Sequence, residues 1–124
     1  MTNNEVDYIL VVEDSPDVQK LMCLYLDCED FEVLTAADGY DAIKKVMKFR
    51  PKVVLTKGYF NNEDEFGLIK TIRHTKEFAG LPVVAMLDRR NGHIPPAQAG
   101  ATKIILVPED YEKLPEIIRE FIKA

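Results

Sequence analysis

Two adjacent carboxylates, Glu13 and Asp14, close the apolar run Tyr8-Ile9-Leu10-Val11-Val12 and are the residues of this chain best suited to chemistry. Paired acids at the end of a buried strand offer oxygen ligands to a hard cation such as magnesium. A second acidic group, within Asn61-Asn62-Glu63-Asp64-Glu65, reads as a loop feeding a helix. Arg89, Arg90 and His93 fall in an irregular stretch that rims the crevice expected at the carboxyl ends of the strands; they read as exposed loop charges, with an anion or partner contact as the functional alternative. His74 is expected to face water. Cys23 and Cys28 sit five apart within an expected helix and therefore on different faces, so a disulfide is not expected. No suitably placed His completes a zinc set, which leaves free, partly buried thiols.

The elements that must position these groups follow from periodicity. Tyr8 to Val12, rich in β-branched residues, has the pattern of a strand buried on both faces. Ser15-Pro16 supplies an N-cap and a first-turn proline, and Val18, Leu21, Met22 and Tyr25 repeat at helical spacing, predicting a helix from about Pro16 to Asp27. A second strand is expected over Phe31 to Ala36. A second helix starts at the candidate cap Asp38, carries Ala42, Ile43, Val46 and Met47 inward, and ends before Arg50-Pro51.

Val53 to Thr56 reads as a third buried strand, ending at Lys57-Gly58, and Leu68, Ile69 and Ile72 form the stripe of a third helix reaching about Thr75. Val83 to Leu87 and Lys103 to Val107 read as the last two strands. Between them Gly92, Pro95 and Pro96 limit any helix to a turn or two. Leu114, Ile117, Ile118, Phe121 and Ile122 mark the final helix, with Pro115 near enough to its start to be tolerated. Alternating strands and helices imply an α/β three-layer sandwich, a parallel sheet with helices on both faces.

At 124 residues, 47% hydrophobic and 30% charged, the chain fits one domain spanning residues 1–124 around one core. A formal charge of -5 argues against a general phosphate-backbone binder, so no direct nucleic-acid contact is expected. The apolar runs are strand-sized, and Met1-Thr2-Asn3-Asn4-Glu5 lacks the pattern of a signal peptide. A soluble cytoplasmic protein without membrane contact is expected.

The chain resembles the receiver domain of bacterial two-component response regulators over nearly its whole length. The resemblance is carried by Ile9-Leu10-Val11-Val12-Glu13-Asp14-Ser15, Ala37-Asp38-Gly39-Tyr40-Asp41-Ala42 and Arg50-Pro51. Phe66-Gly67-Leu68-Ile69-Lys70-Thr71-Ile72-Arg73, Leu81-Pro82-Val83-Val84 and Ala99-Gly100-Ala101 extend it in the same order. It implies a flavodoxin-like five-stranded sheet of order 2-1-3-4-5. It also implies a magnesium ion on Glu13 and Asp14 and a phosphoryl-accepting aspartate at the end of the third strand.

Lys57 stands where the resemblance places that aspartate. Leu87 takes the position of a hydroxyl residue ending the fourth strand, Val107 that of a lysine ending the fifth, and Ile104 that of an aromatic switch. The loop from Lys57 to Gly67 is two residues longer than the usual pattern, and the helix between the fourth and fifth strands is expected to be short or irregular. An ammonium cannot form an acyl phosphate, and Lys57 disfavours magnesium beside Glu13 and Asp14. It is expected to reach across the crevice and pair with them: unit charges about 4 Å apart at an effective dielectric near 20 attract by roughly 4 kcal/mol before desolvation. The same two acids hold the amine protonated, which opposes a catalytic role.

The expected function is therefore that of a degenerate receiver, or pseudo-receiver. It is read as a non-enzymatic signalling module needing no cofactor, whose partners are a histidine kinase or a downstream effector. The alternative is a working phospho-acceptor receiver that uses Asp64 or Glu63 in the 61–65 loop.

Overall fold

The computed structural model describes residues 6–27, 31–57, 67–88 and 100–122. Five strands form one parallel sheet of order β2-β1-β3-β4-β5: β1 (Tyr8–Val12), β2 (Glu32–Ala36), β3 (Val53–Thr56), β4 (Val83–Asp88) and β5 (Lys103–Val107). They are connected through α1 (Pro16–Tyr25), α2 (Gly39–Phe49) and α3 (Gly67–His74), and β5 is followed by α4 (Leu114–Ile122). This is the flavodoxin-like three-layer α/β sandwich. Among the described residues no helix is long and apolar enough to cross a membrane.

Two apolar clusters separate the faces of the sheet. Ile9, Val11, Leu55, Val84, Met86 and Ile105 point toward α1 and α4, where they meet Met22, Leu114 and Ile118. Their neighbours Leu10, Val12, Val54, Val83 and Ala85 point toward α2 and α3, where they meet Ala42, Val46, Ile69 and Ile72. Strands covered on both faces need apolar side chains at consecutive positions, and the four residues Ile9 to Val12 are each 0% exposed. In register, Val12 lies between Ala36 and Thr56, so β1, β2 and β3 end level with one another.

The helix starts follow their local chemistry. Ser15 Oγ accepts from the Val18 amide at 3.3 Å with Pro16 in the first turn, and Asp38 Oδ1 accepts from the Asp41 amide at 2.8 Å. The ends are less predictable. The sequence predicts α1 as far as Asp27, but the helix stops at Tyr25 and Leu26 caps it. Leu26 is fully buried, so the apolar spacing runs on past the last helical residue. Phe31 likewise precedes β2 rather than opening it, because it is a core residue and not a strand residue. β4 extends one residue beyond the expected Leu87.

Arg50 ends α2 in the left-handed conformation, φ 49 and ψ 62, with its N–H on the Val46 carbonyl at 3.0 Å. A short 3-10 turn, Tyr111–Lys113, precedes α4 and stacks Tyr111 on Tyr25 with ring centroids 5.6 Å apart. Periodicity alone did not indicate that turn. The short helix expected between β4 and β5, with Arg89, Arg90 and His93, lies outside the described residues, as do Cys28 and the loop acids Glu63 and Asp64.

One side chain ties the segments leading into β4 and β5 to α3. Arg73 donates from Nε to the Gly100 carbonyl at 2.8 Å, from Nη1 to the Leu81 carbonyl at 2.8 Å and the Ala79 carbonyl at 3.2 Å, and from Nη2 to Thr102 Oγ1 at 3.0 Å. Thr102 Oγ1 in turn accepts from the Val83 amide at 3.0 Å. Gly100 has φ +103, and a Cβ there would lie 3.0 Å from Arg73 Cγ, so glycine is required both by the backbone and by the close approach of the arginine.

Candidate functional site

The level ends of β1 and β3 bring Glu13, Asp14 and Lys57 to one point. The Glu13 amide still bonds the Ala36 carbonyl at 2.9 Å, prolonging the β1–β2 pairing by one residue. Gln19 closes the same corner from α1, its Nε2 donating to the Glu13 carbonyl at 2.6 Å and to the Ala36 carbonyl at 3.4 Å. The Glu13 side chain turns back to accept the Ser15 amide on Oε2 at 3.0 Å. An anion beside the first amides of a helix is favourably placed. Glu13 is only 5% exposed, whereas Asp14 is half-buried.

Lys57, the first residue after β3, extends its ammonium to both acids. Nζ lies 2.7 Å from Asp14 Oδ1 and 3.5 Å from Glu13 Oε2. Burial pushes the Glu13 carboxyl above its usual range, against the Ser15 hydrogen bond and the Lys57 charge. Burial acts the same way on Asp14, but the hydrogen bond and charge of Lys57 outweigh it and leave that carboxyl below its usual range. For Lys57 burial works against the ammonium; the Asp14 hydrogen bond and the charges of both acids overcome it and raise the pKa. Lys57 is therefore a fixed cation and a poor nucleophile at neutral pH.

The other positions singled out in the sequence are not drawn into this group. Leu87 is the penultimate residue of β4 and is half-buried. Val107, the last residue of β5, is 8% exposed and belongs to the apolar cluster under α1 and α4. Ile104 is half-buried and alternates with Ile105, pairing in register with Ala85. His74 is exposed at the end of α3, and Cys23 is half-buried on α1, where burial pushes its thiol up. Among the described residues Glu13 and Asp14 have no further carboxylate, imidazole or thiol grouped with them that would make a metal-binding set.

Gln19 and the Ser15 amide contribute to the site without having been expected there. The available signal was a glutamine one turn after an N-cap, on the stripe that carries Met22 inward. Its carboxamide can bridge two strand ends because it offers two donors.

The family model of the response regulator receiver domain matches residues 9–119. Protein PilG of Pseudomonas aeruginosa is 23% identical over 119 residues, covering 94% of this chain and 87% of that protein. Among solved structures, the chemotaxis response regulator CheY4 of Vibrio cholerae superposes with a TM-score of 0.76 at 23% identity, covering 94% of this chain and 98% of that one. The response regulator domain of Thermotoga maritima CheB gives 0.78 at 22% identity, with 96% and 98% covered. At such identities the structural likeness speaks for the fold.

Proposed function

This chain belongs to the response regulator receiver domain family, and we propose that it serves two-component signalling as a binding module that accepts no phosphoryl group. The observation that carries the proposal is the position of Lys57, at the end of β3 with its ammonium 2.7 Å from Asp14 and 3.5 Å from Glu13. In the family that strand end bears the acceptor aspartate, and the acid pair holds magnesium. Here an amine takes the acceptor's place, and its charge takes the cation's.

The residues present do not fit magnesium. Two carboxylates are a sparse ligand set for a hard cation, and an ammonium already bonded to both repels one. Leu87 and Val107 offer neither a hydroxyl nor an ammonium to a phosphoryl group, and Ile104 offers no ring to turn. On this reading the pocket holds one charge state permanently. Signalling then proceeds by binding a kinase or an effector, which shifts the conformational population by differential affinity alone. The module is not an enzyme.

Incubation with acetyl phosphate and magnesium followed by intact-mass measurement tests the proposal. The expected result is an unmodified chain. A single stable phosphoryl adduct mapped to Glu63 or Asp64 would overturn it in favour of a displaced acceptor.

A further inference from the structure

We propose that the outer face of α2 is a docking surface for an acidic segment of a partner protein that carries an apolar side chain. The proposal rests on the reading of this chain as a binding module and names the surface that such a module would use.

The face is defined by helical phase. Ala42 and Val46 point into the core, and Tyr40, Lys44, Met47 and Lys48 form one stripe on the opposite side, at i, i+4, i+7 and i+8. Tyr40 is 75% exposed and Met47 58%, large apolar side chains that the fold leaves in water. Lys44 Nζ lies 5.0 Å from the centre of the Tyr40 ring and Lys48 Nζ 5.2 Å from that of Phe49, so each ammonium lies beside an aromatic ring.

Charge complementarity identifies the occupant. Within α2 the acid is Asp41, at the edge of this stripe beside Lys44 and Lys48, and its carboxylate turns to Lys45 at 3.3 Å. Lys44 and Lys48 meet no carboxylate among the described residues. The stripe is thus a local positive, apolar-centred patch on a chain of formal charge -5. An extended anionic surface, such as a membrane, would meet the whole negative chain. A short acidic segment senses charge only within about 8–10 Å at physiological salt, about the length of two helical turns, and there Lys44, Lys45 and Lys48 outnumber Asp38 and Asp41. Its carboxylates match Lys44 and Lys48, and its apolar side chain covers the Tyr40 ring and the Met47 thioether. The surface is presented without reorganisation, because Asp38 and Arg50 cap α2 at its two ends and the core holds its inner face.

The test uses the isotope-labelled full chain and a synthetic helical peptide of glutamate, alanine and leucine, about 15 residues long so that it holds a helix. Amide shifts are expected at Tyr40, Lys44, Met47 and Lys48, with affinity falling as salt rises. Lys44→Glu with Lys48→Glu is expected to weaken binding about tenfold, while Leu24→Ser on the exposed side of α1 leaves it unchanged. Tyr40→Ser, which keeps both lysines, should also weaken binding, and unchanged α2 amide shifts in the free variants show that the helix still forms. No shift on α2, shifts centred elsewhere, or full affinity in the charge-reversed variant overturns the proposal. So does binding of α2 to phosphatidylglycerol vesicles in preference to the peptide. A phosphoryl adduct in the mass experiment alongside intact peptide binding would sink the phosphate-free reading and leave this surface standing; no adduct and no binding would do the reverse.

Discussion

Lys57 and Asp14, 43 residues apart in the chain, meet at 2.7 Å between the ends of two paired strands. Glu13 is the more buried of the two acids and lies farther from the ammonium, 3.5 Å away, and a backbone amide shares its charge. The ion pair therefore belongs mainly to Asp14, whose carboxyl Lys57 holds down, while Glu13 leans first on the Ser15 amide.

Lys57→Met removes the cation and leaves two adjacent carboxylates, one of them buried. A loss of about 1–2 kcal/mol is expected at neutral pH, below that of a fully buried pair because Asp14 and Lys57 are partly solvated. Denaturant unfolding measures it. The loss should shrink in acid as Glu13 protonates, and an equal loss at all pH values would contradict the electrostatic account.

The pH dependence has three parts. Asp14, lowered in the folded state, contributes stability that is present above its unfolded pKa and lost as pH falls through its folded value, below about pH 4. Lys57, raised, contributes stability that is present below its unfolded pKa and lost as pH rises through the folded value, above about pH 10. Glu13, raised, favours folding below its unfolded pKa and loses that contribution as pH rises through its folded value, so it opposes Asp14 at mild acidity. A plateau is expected between the folded-state titration of Glu13 and that of Lys57. Carboxyl resonances in NMR should titrate at higher pH for Glu13 than for Asp14; the opposite order would show that the ammonium bonds chiefly to Glu13.

Lys57→Asp should convert the pocket to three carboxylates and produce magnesium binding at roughly millimolar affinity, detectable by calorimetry and absent in the parent. Phosphoryl acceptance from acetyl phosphate should be partial, since Leu87 and Val107 still supply no polar group. Absence of magnesium binding in this variant would mean that Glu13 and Asp14 are not arranged as a latent metal site.

Arg73→Ala removes four donated hydrogen bonds that join α3 to the starts of β4 and β5. A loss of about 2 kcal/mol is expected, modest for the number of bonds because part of the guanidinium is solvated. Arg73→Lys should recover little of it, as a single ammonium cannot span those acceptors. Gly100→Ala should cost about as much through backbone strain and the 3.0 Å approach to Arg73. Thermal unfolding of the three variants tests both, and a neutral Gly100→Ala would show that the arginine moves aside freely.

Much of the fold was legible because local rules act over a few residues. β3 and β5 have the bounds their apolar runs predict: β3 is buried at every residue, as a strand covered on both faces requires, and β5, at the sheet edge, buries Ile105 and Val107. Ser15 and Asp38 cap the helices they precede, because each oxygen needs only an amide three residues on. The end of α1 was misjudged because Leu26 serves the core from outside the helix, and burial rather than helicity sets its type.

By itself the sequence determined the alternation of strands and helices, the acid pair at the end of β1 and the lysine at the end of β3. Only the tertiary structure decided how these groups share their charge. Parallel register set Val12 opposite Thr56, which put Lys57 within reach of both acids. The Ser15 amide holds the Glu13 carboxylate against the start of α1, Gln19 fixes the Glu13 backbone carbonyl, and the ammonium lies nearest Asp14. Such distances depend on how segments 43 residues apart are stacked, and no local pattern encodes them.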